Sequence, residues 1–344
     1  MEGKYAFGVI EAPEARLPLP EPVYTVPYRD ISAVVADSAM VDLASMPKEA
    51  AARYLLRHQQ VLEKIMESHA VIPMKMGTYL SSHSEIVEVL LFGYRDFKET
   101  FSEIEGKVEI NVAATWSDLD SIIRETGEES EEVREFKRKL MSKPAGITTE
   151  DRMKAGFMVR KAMEKKNRKT ASEITGALSE IALAQRTHDL MDDGMILNAA
   201  LLVGNRKRKR FDAILDKLDG FYRGRVNFRC VGPLPPYSFY TAEIKKVGPD
   251  ELDKAKKMLG LWDFPVYKSV IEKAYRERAL LCHPDVVQQF KRKGQTCVSP
   301  EIESTEEFSE INRAYKLLME CSAPEACHRE DGSVLIIEIM RIRE

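Results

Sequence analysis

The chain lacks the short signatures that carry most catalytic chemistry. Its 344 residues contain no G-x-G-x-x-G turn and no G-x-x-x-x-G-K-[ST] loop. Neither a dinucleotide pyrophosphate nor a nucleoside triphosphate therefore finds its usual backbone cradle. No apolar run reaches the roughly 20 residues that a bilayer-spanning helix needs. The opening residues carry no basic stretch followed by a long apolar core, so no secretory leader is expected. Cysteine is scarce and odd in number: Cys230, Cys282, Cys297, Cys321 and Cys327. Their spacing outlines no disulfide framework, and free thiols in a reducing cytoplasm are the expectation. Cys321, Cys327 and His328 lie close in sequence, but their spacing fits no strong zinc pattern. His58, His69, His83 and His188 are scattered, without thiol or carboxylate partners at ligand spacing. No metal, no cofactor and no catalytic residue is expected, and the chain is read as not an enzyme. Net charge is also small, at −3, so the global balance draws the chain to neither nucleic acid nor membrane. The run Arg206-Lys207-Arg208-Lys209-Arg210 is the sharpest local charge. Without interleaved aromatics to stack bases it reads as a solvated face, and no nucleic-acid partner is expected.

What is present is ample material for packed cores: 44% apolar and 31% charged residues. The length favours two or three domains. Residues 5–10 and 31–36 read as strands, separated by a proline-rich stretch. Pro47 opens a helix in which Tyr54, Leu55, Val61, Leu62 and Ile65 recur at helical spacing. Residues 71–77 form a short strand ending at Gly77. Ser82 opens a helical pattern through Ile86, Val89, Leu90, Tyr94, Phe97 and Phe101. Residues 107–116 alternate, with Val108, Ile110, Val112, Ala114 and Trp116 on one face. Helices covering one face of a small sheet predict an α+β domain of ferredoxin-like character over 1–116.

Residues 117–147 are charged and broken by Pro144 and Gly146, the marks of a helical linker. Thr148 and Asp151 have the spacing of a capping box. A helical pattern follows, through Met153, Phe157, Val159, Met163, Ile174, Leu178, Ile181 and Leu190. If continuous to about 192, this helix is roughly 65 Å long; the polar run 164–170 marks an exposed middle or a break. Strand, helix and strand patterns then cover 195–203, 207–218 and 224–231. The expectation is a second α+β domain over 148–248. Short charged helices follow from 250. The closing residues, 333–342, are a strong strand that needs a sheet partner, and the second domain is the expected one.

Two segments carry a family resemblance. One is Val71-Ile72-Pro73-Met74-Lys75-Met76-Gly77-Thr78. The other is Val231-Gly232-Pro233-Leu234-Pro235-Pro236-Tyr237-Ser238-Phe239. With the opening Tyr5-Ala6-Phe7-Gly8-Val9, they resemble the gas vesicle protein F/L family over about 4–241. Physically, three prolines in four residues fix φ and remove amide donors, so the late segment is a rigid bridge that aims Tyr237 and Phe239. These aromatics either plug a core or form a fixed surface for a partner. The resemblance implies an accessory protein that contacts the hydrophobic shell protein and other gas vesicle accessory proteins, at the vesicle or in the cytoplasm. Tyr237 and Phe239 are the candidate shell-binding residues.

The tripeptide His283-Pro284-Asp285 follows the helical run 271–282. With Met258-Leu259-Gly260-Leu261 before it and Phe308, Ile311, Asn312, Ala314, Tyr315 and Leu318 after it, the stretch 250–322 resembles a J domain. Val270, Ile271, Ala274 and Tyr275 make one apolar stripe and Phe308, Ile311, Tyr315 and Leu318 another, as an antiparallel helical pair requires. The resemblance implies a DnaK-type chaperone ATPase as partner, met by His283, Pro284 and Asp285 with the cations Lys273, Arg276 and Arg278. The chain departs from that pattern at Leu281, Cys282 and Val286.

The full expectation is an α+β chain: a ferredoxin-like domain over 1–116, a helical linker over 117–147 and a second α+β domain with a long helix over 148–248. A small all-α J-domain-like module covers 249–322, and 323–344 holds a strand returning to the second domain. The implied function is gas vesicle assembly, by binding the shell subunit and recruiting a chaperone ATPase. The alternative is a minor structural component of the vesicle whose J-like module is only a docking surface.

Overall fold

The computed structural model describes residues 2–12, 22–143, 146–262, 267–282, 304–323 and 326–342. The chain forms a mixed α/β structure with several antiparallel sheets and helices, grouped in two compact units. One unit comprises residues 1–62, 72–100 and 242–340; the other comprises 63–71, 101–241 and 341–344.

The first unit is built on β1 (Glu2–Ile10), whose Phe7, Val9 and Ile10 are all buried. A strand buried on both faces belongs in the middle of a sheet. It lies between β3 (Ile31–Ala39) and β4 (Val71–Pro73), with β2 (Val23–Tyr28) outside β3 and β5 (Tyr79–Leu80) also pairing β1. The β1–β3 ladder is antiparallel, from Glu2 opposite Ala39 to Ile10 opposite Ser32. Arg29, at the β2–β3 turn, has φ +54, an uncommon conformation for a residue with a Cβ. Its guanidinium rests over the rings of Tyr28 and Tyr94. α1 (Lys48–Met66) buries His58, Val61 and Leu62. α2 (His83–Phe92) starts at Ser82, whose hydroxyl accepts the Glu85 amide, and buries Ile86, Val89 and Leu90 at helical spacing. α3 (Tyr94–Ile104) follows.

The same unit resumes at β10 (Ala242–Val247). α8 (Pro249–Leu259) begins with proline at its first turn and stops at Gly260, whose φ of +71 allows the left-handed cap. α9 (Lys268–Cys282) and α8 both pack on α10 (Ser304–Cys321). Leu252, Ala255, Leu259, Ile271, Ala274, Ile311, Ala314 and Leu318 form their shared core. The rings of Tyr275 and Tyr315 stack at 4.1 Å, and the Tyr275 hydroxyl donates to Asn312 at 2.7 Å. β11 (Ala326–His328) and β12 (Val334–Ile339) complete an antiparallel sheet in the order β10-β12-β11. Val334 and Ile336 of β12 join the helical core.

The second unit holds, among the described residues, a four-stranded antiparallel sheet in the order β7-β8-β6-β9. These are β6 (Lys107–Trp116), β7 (Ala182–Thr187), β8 (Met195–Gly204) and β9 (Val226–Leu234). Its core gathers Ile110, Val112, Ala114 and Trp116 of β6 with Ile174 and Leu178 of α6 (Thr149–Ser179) and Phe211 and Leu218 of α7 (Arg208–Tyr222). α4 (Leu119–Glu129) and α5 (Glu131–Met141) precede α6. The capping box at Thr148 and Asp151 forms as its spacing predicts.

Three expectations are corrected. β6 was expected to close a domain over 1–116, yet it sits at the centre of the other unit's sheet, between β8 and β9. Its alternation fixes a strand but says nothing of which strands flank it. The long helix ends at Ser179, not near 192, because residues 182–187 pair with β8 as an edge strand. At about 1.5 Å per residue, its 31 residues span about 46 Å. The closing strand does not enter the four-stranded sheet: β12 pairs β10, which itself leaves the expected second domain.

Candidate functional site

The proline-rich segment after β9 is shaped by its neighbours in β6. Leu234 pairs Glu109 while Val231 pairs Asn111, so Gly232 and Pro233 form a bulge opposite Ile110. Gly232 is required there: a Cβ would sit 2.9 Å from the Glu109 carbonyl oxygen. Beyond the bulge the chain turns tightly. The Tyr240 amide donates to Pro236 at 2.7 Å, and the Thr241 hydroxyl to the Tyr237 carbonyl at 2.6 Å.

Glu109 anchors this turn. Its carboxylate accepts the Ser238 amide at 2.7 Å and the Ser238 hydroxyl at 2.9 Å. The side chain is 1% exposed. Burial pushes its carboxyl above the usual range, against the opposing pull of Ser238, Asn111 and the charge of Arg186. His188 Nε2 lies 3.4 Å from the Ser238 hydroxyl. The serine thus stands between carboxylate and imidazole. The nucleophile–base–carboxylate order of a hydrolase instead puts the imidazole in the middle. The arrangement holds a turn.

Of the two aromatics aimed by this segment, Phe239 is 2% exposed and Tyr237 is half-buried. This corrects the expectation of a shell-binding surface at Phe239: its ring is spent on packing and offers no free face. His283, Pro284 and Asp285 lie outside the described residues. Lys273, Arg276 and Arg278 are exposed on α9. Lys273 and Arg276 stand one turn apart, and Arg276 pairs Glu272 at 3.8 Å. Arg278 points elsewhere, toward the cap of α8, where a Cβ on Gly260 would meet its guanidinium at 3.4 Å. The three cations do not form one face. Cys321 is fully buried, Cys327 is half-buried, and no group of three metal-ligating side chains converges among the described residues.

A second anchor escaped sequence reasoning. Glu85 is 2% exposed and accepts both the amide and the hydroxyl of Ser81 at 2.6 Å. Its other oxygen takes Lys246 at 2.9 Å and Arg329 at 3.2 Å, and Arg329 also pairs Glu88 at 2.8 Å. Burial pushes the Glu85 carboxyl up, but Ser81 and Lys246 together hold it below its ordinary value. Beside it, Lys75 reaches Glu243 at 2.7 Å, the Lys75 amide donates to Ala242 at 2.8 Å, and Met74 bridges Ala242 in parallel. In sequence, Glu85 is only the glutamate of a Ser-x-x-Glu capping pattern. Its cations lie 161 and 244 positions away.

Fold and anchors together describe a mixed α/β scaffold whose buried carboxylates fix a turn and a seam. The family model for gas vesicle synthesis protein GvpL/GvpF matches residues 3–241. The chain belongs to this family, and with it to the proteins of gas vesicle formation. It is 26% identical over 251 residues to gas vesicle protein F1 of Halobacterium salinarum, covering 71% of this chain and 95% of that protein. It is 28% identical over 243 residues to gas vesicle protein F of a Streptomyces species, covering 68% and 98%. The crystal structure of GvpF from an Anabaena species shares the fold at a TM-score of 0.59 and 17% identity, covering 69% of this chain and 98% of that one. GvpF from Microcystis aeruginosa does so at 0.55 and 21%, covering 69% and 98%. The family match ends at Thr241, and Ala242 is where the first unit resumes. No helix among the described residues is long and apolar enough to cross a membrane.

Proposed function

We propose that this protein is a gas vesicle assembly factor in which a family body handles the hydrophobic shell subunit and an added J-like module recruits a DnaK-type ATPase. A subunit that will line a gas-facing wall exposes apolar surface before assembly and aggregates unless covered. The family body, of ferredoxin-like character in its sheets, supplies the cover in the cytoplasm and at the vesicle. The observation that carries the chaperone half is what lies beyond the family match. α8, α9 and α10 share one apolar core, with the Tyr275–Tyr315 stack inside the α9–α10 pair. The last residue of α9, Cys282, precedes His283-Pro284-Asp285 directly. A polar tripeptide in the segment that joins α9 to α10 is a contact point, and Lys273 and Arg276 on α9 add positive charge for an acidic ATPase surface.

The test is ATPase stimulation of a purified DnaK-type chaperone, with shell-protein light scattering measured in parallel. Wild-type protein accelerates hydrolysis and lowers scattering; His283→Gln abolishes the first and spares the second. Absence of stimulation by the wild type removes the chaperone half. A second reading is a minor structural component with the module as a docking surface. The pairing of Arg276 with Glu272, which dilutes the basic face, favours it. Washed vesicles would then retain the protein in fixed ratio to the shell subunit.

A further inference from the structure

The α5–α6 hairpin contributes little to the core of its unit, yet it is carefully built. α5 buries no residue, and α6 buries none before Met163. Both helices are nonetheless capped: Ser130 receives the Val133 amide, and Thr148 and Asp151 form the reciprocal box. Lys143 pairs Asp151 at 2.5 Å, and Lys154 lies over the ring of Phe136. An exposed element held this firmly is suited to display a surface.

That surface is apolar and basic at once. Met153 and Phe157, one turn apart on α6, are 66% and 70% exposed; Met141 at the end of α5 and Ile147 ahead of α6 are exposed as well. Gly156, between Met153 and Phe157, has open space where a Cβ would be. Over 137–161 stand Lys137, Arg138, Lys139, Lys143, Arg152, Lys154, Arg160 and Lys161, against only Glu150 and Asp151. The carboxylates are gathered at the root instead, as Glu128, Glu129, Glu131, Glu132 and Glu135. Lys165, Lys166, Arg168 and Lys169 follow on α6, and Lys166 pairs Glu129 at 2.9 Å, so the root is mixed in sign while residues 137–161 keep an unbalanced positive surplus.

We propose that the outer face of the α5–α6 hairpin, centred on Met153 and Phe157, docks an amphipathic helix of a partner protein that carries carboxylates beside its apolar stripe. The apolar anchors Met153 and Phe157 stand one helical turn apart, about 6 Å along the axis of α6. That spacing suits a helix laid across them, with its own anchors one turn apart. A membrane surface asks for a long continuous apolar face, which Glu150, Arg160 and Glu164 interrupt here. Cations flanking the band select carboxylates and repel basic helices. The surface lies within the family-matched residues and stands whether or not the partner is the shell subunit.

The test uses the full chain and a fluorescein-labelled 18-residue helix of Leu, Ala and Glu with one apolar face. Controls are the Lys counterpart, a scrambled Glu peptide of the same composition, and vesicles rich in phosphatidylglycerol. Fluorescence anisotropy should show saturable binding of the amphipathic Glu peptide. The pair Met153→Ser and Phe157→Ser should weaken it at least tenfold, as should the pair Arg152→Glu and Lys161→Glu. All four positions are exposed, so thermal melting should match wild type. The proposal is overturned if the Glu peptide does not bind, or if the serine pair binds it as wild type does. Equal binding of the Lys or scrambled peptide overturns it too. Binding to vesicles without binding to the peptide assigns the surface to lipid instead.

Discussion

Two nearly identical side chains in the two units behave in opposite ways. Glu109 and Glu85 are 1% and 2% exposed. Glu109 has its carboxyl pushed up, because its close partners are the neutral amide and hydroxyl of Ser238. Glu85 has its carboxyl held down, because Ser81 and Lys246 together outweigh its burial; Arg329 sits on the same oxygen as Lys246. Desolvation penalises the charged form at both sites; at Glu85 Ser81 and Lys246 outweigh it, and at Glu109 the opposing contacts do not. The uses differ accordingly. A carboxyl with neutral donors holds a local turn, whereas one with two cations ties together segments far apart in sequence.

The largest expected effect separates the two sites directly. Glu85→Ala leaves Arg329 and Lys246 without their shared carboxylate, and a broken buried pair costs about 3–5 kcal/mol. Lys246 is partly solvated and Arg329 keeps Glu88, so about 2–3 kcal/mol is expected in urea unfolding of the first unit. Equal losses for Glu85→Ala and Glu109→Ala would break the comparison.

Acid lability is the next effect. His58 is buried against Tyr5, whose hydroxyl shares a hydrogen bond with its Nδ1 at 2.8 Å. Burial lowers its pKa from 6.5 to about 4, against a small opposing pull from the Met74 backbone. Between those values the unfolded chain binds more protons than the folded one, so stability falls as pH drops from 6.5 towards 4. The loss is about 3 kcal/mol at most. Glu85 has the same sign: its contribution is present above 4.5 and is lost as pH falls below that value. Glu109 has the opposite sign, since its raised carboxyl favours the folded state more at low pH. Hydrogen exchange at pH 7 and pH 4.5 should therefore show the first unit losing protection before the second. His58→Gln should flatten the first unit's response between pH 6.5 and 4; an unchanged slope would remove His58 as its cause.

A smaller effect is expected at the turn. Ser238→Ala removes one of the two hydrogen bonds on buried Glu109 and should cost about 1–2 kcal/mol. The smallest effect sharpens the contrast most. Glu109→Gln keeps an acceptor for the Ser238 amide and loses a charge that burial already disfavours, so a loss under about 1 kcal/mol is expected. Glu85→Gln strips the charge from two cations and should cost at least twice as much.

Sequence patterns and tertiary structure divided the work along clear lines. Helix starts were legible because they are local chemistry. Thr148 with Asp151, and Ser82, mark starts that a few residues satisfy by themselves. The rigid segment 231–239 was also legible, since its prolines act on their own backbone. The role of its aromatics was not. Whether Phe239 faces a core or solvent depends on what surrounds it, and Glu109 fixes the segment through Ser238, 129 positions away.

The amino-acid sequence by itself determined most of the strands and helices, the family of the first 241 residues, and the three-helix pattern beyond them. Those features rest on periodicity, caps and turn residues, all of which act over a few positions. Tertiary structure alone decided which strands pair. It drew β6 into the second unit's sheet, ended α6 at an unforeseen edge strand, and returned β12 to β10. It also turned the glutamate of a capping pattern into the buried partner of two distant cations. Pairing and ion contacts are long-range choices among many compatible partners, settled by packing and desolvation rather than by local preference.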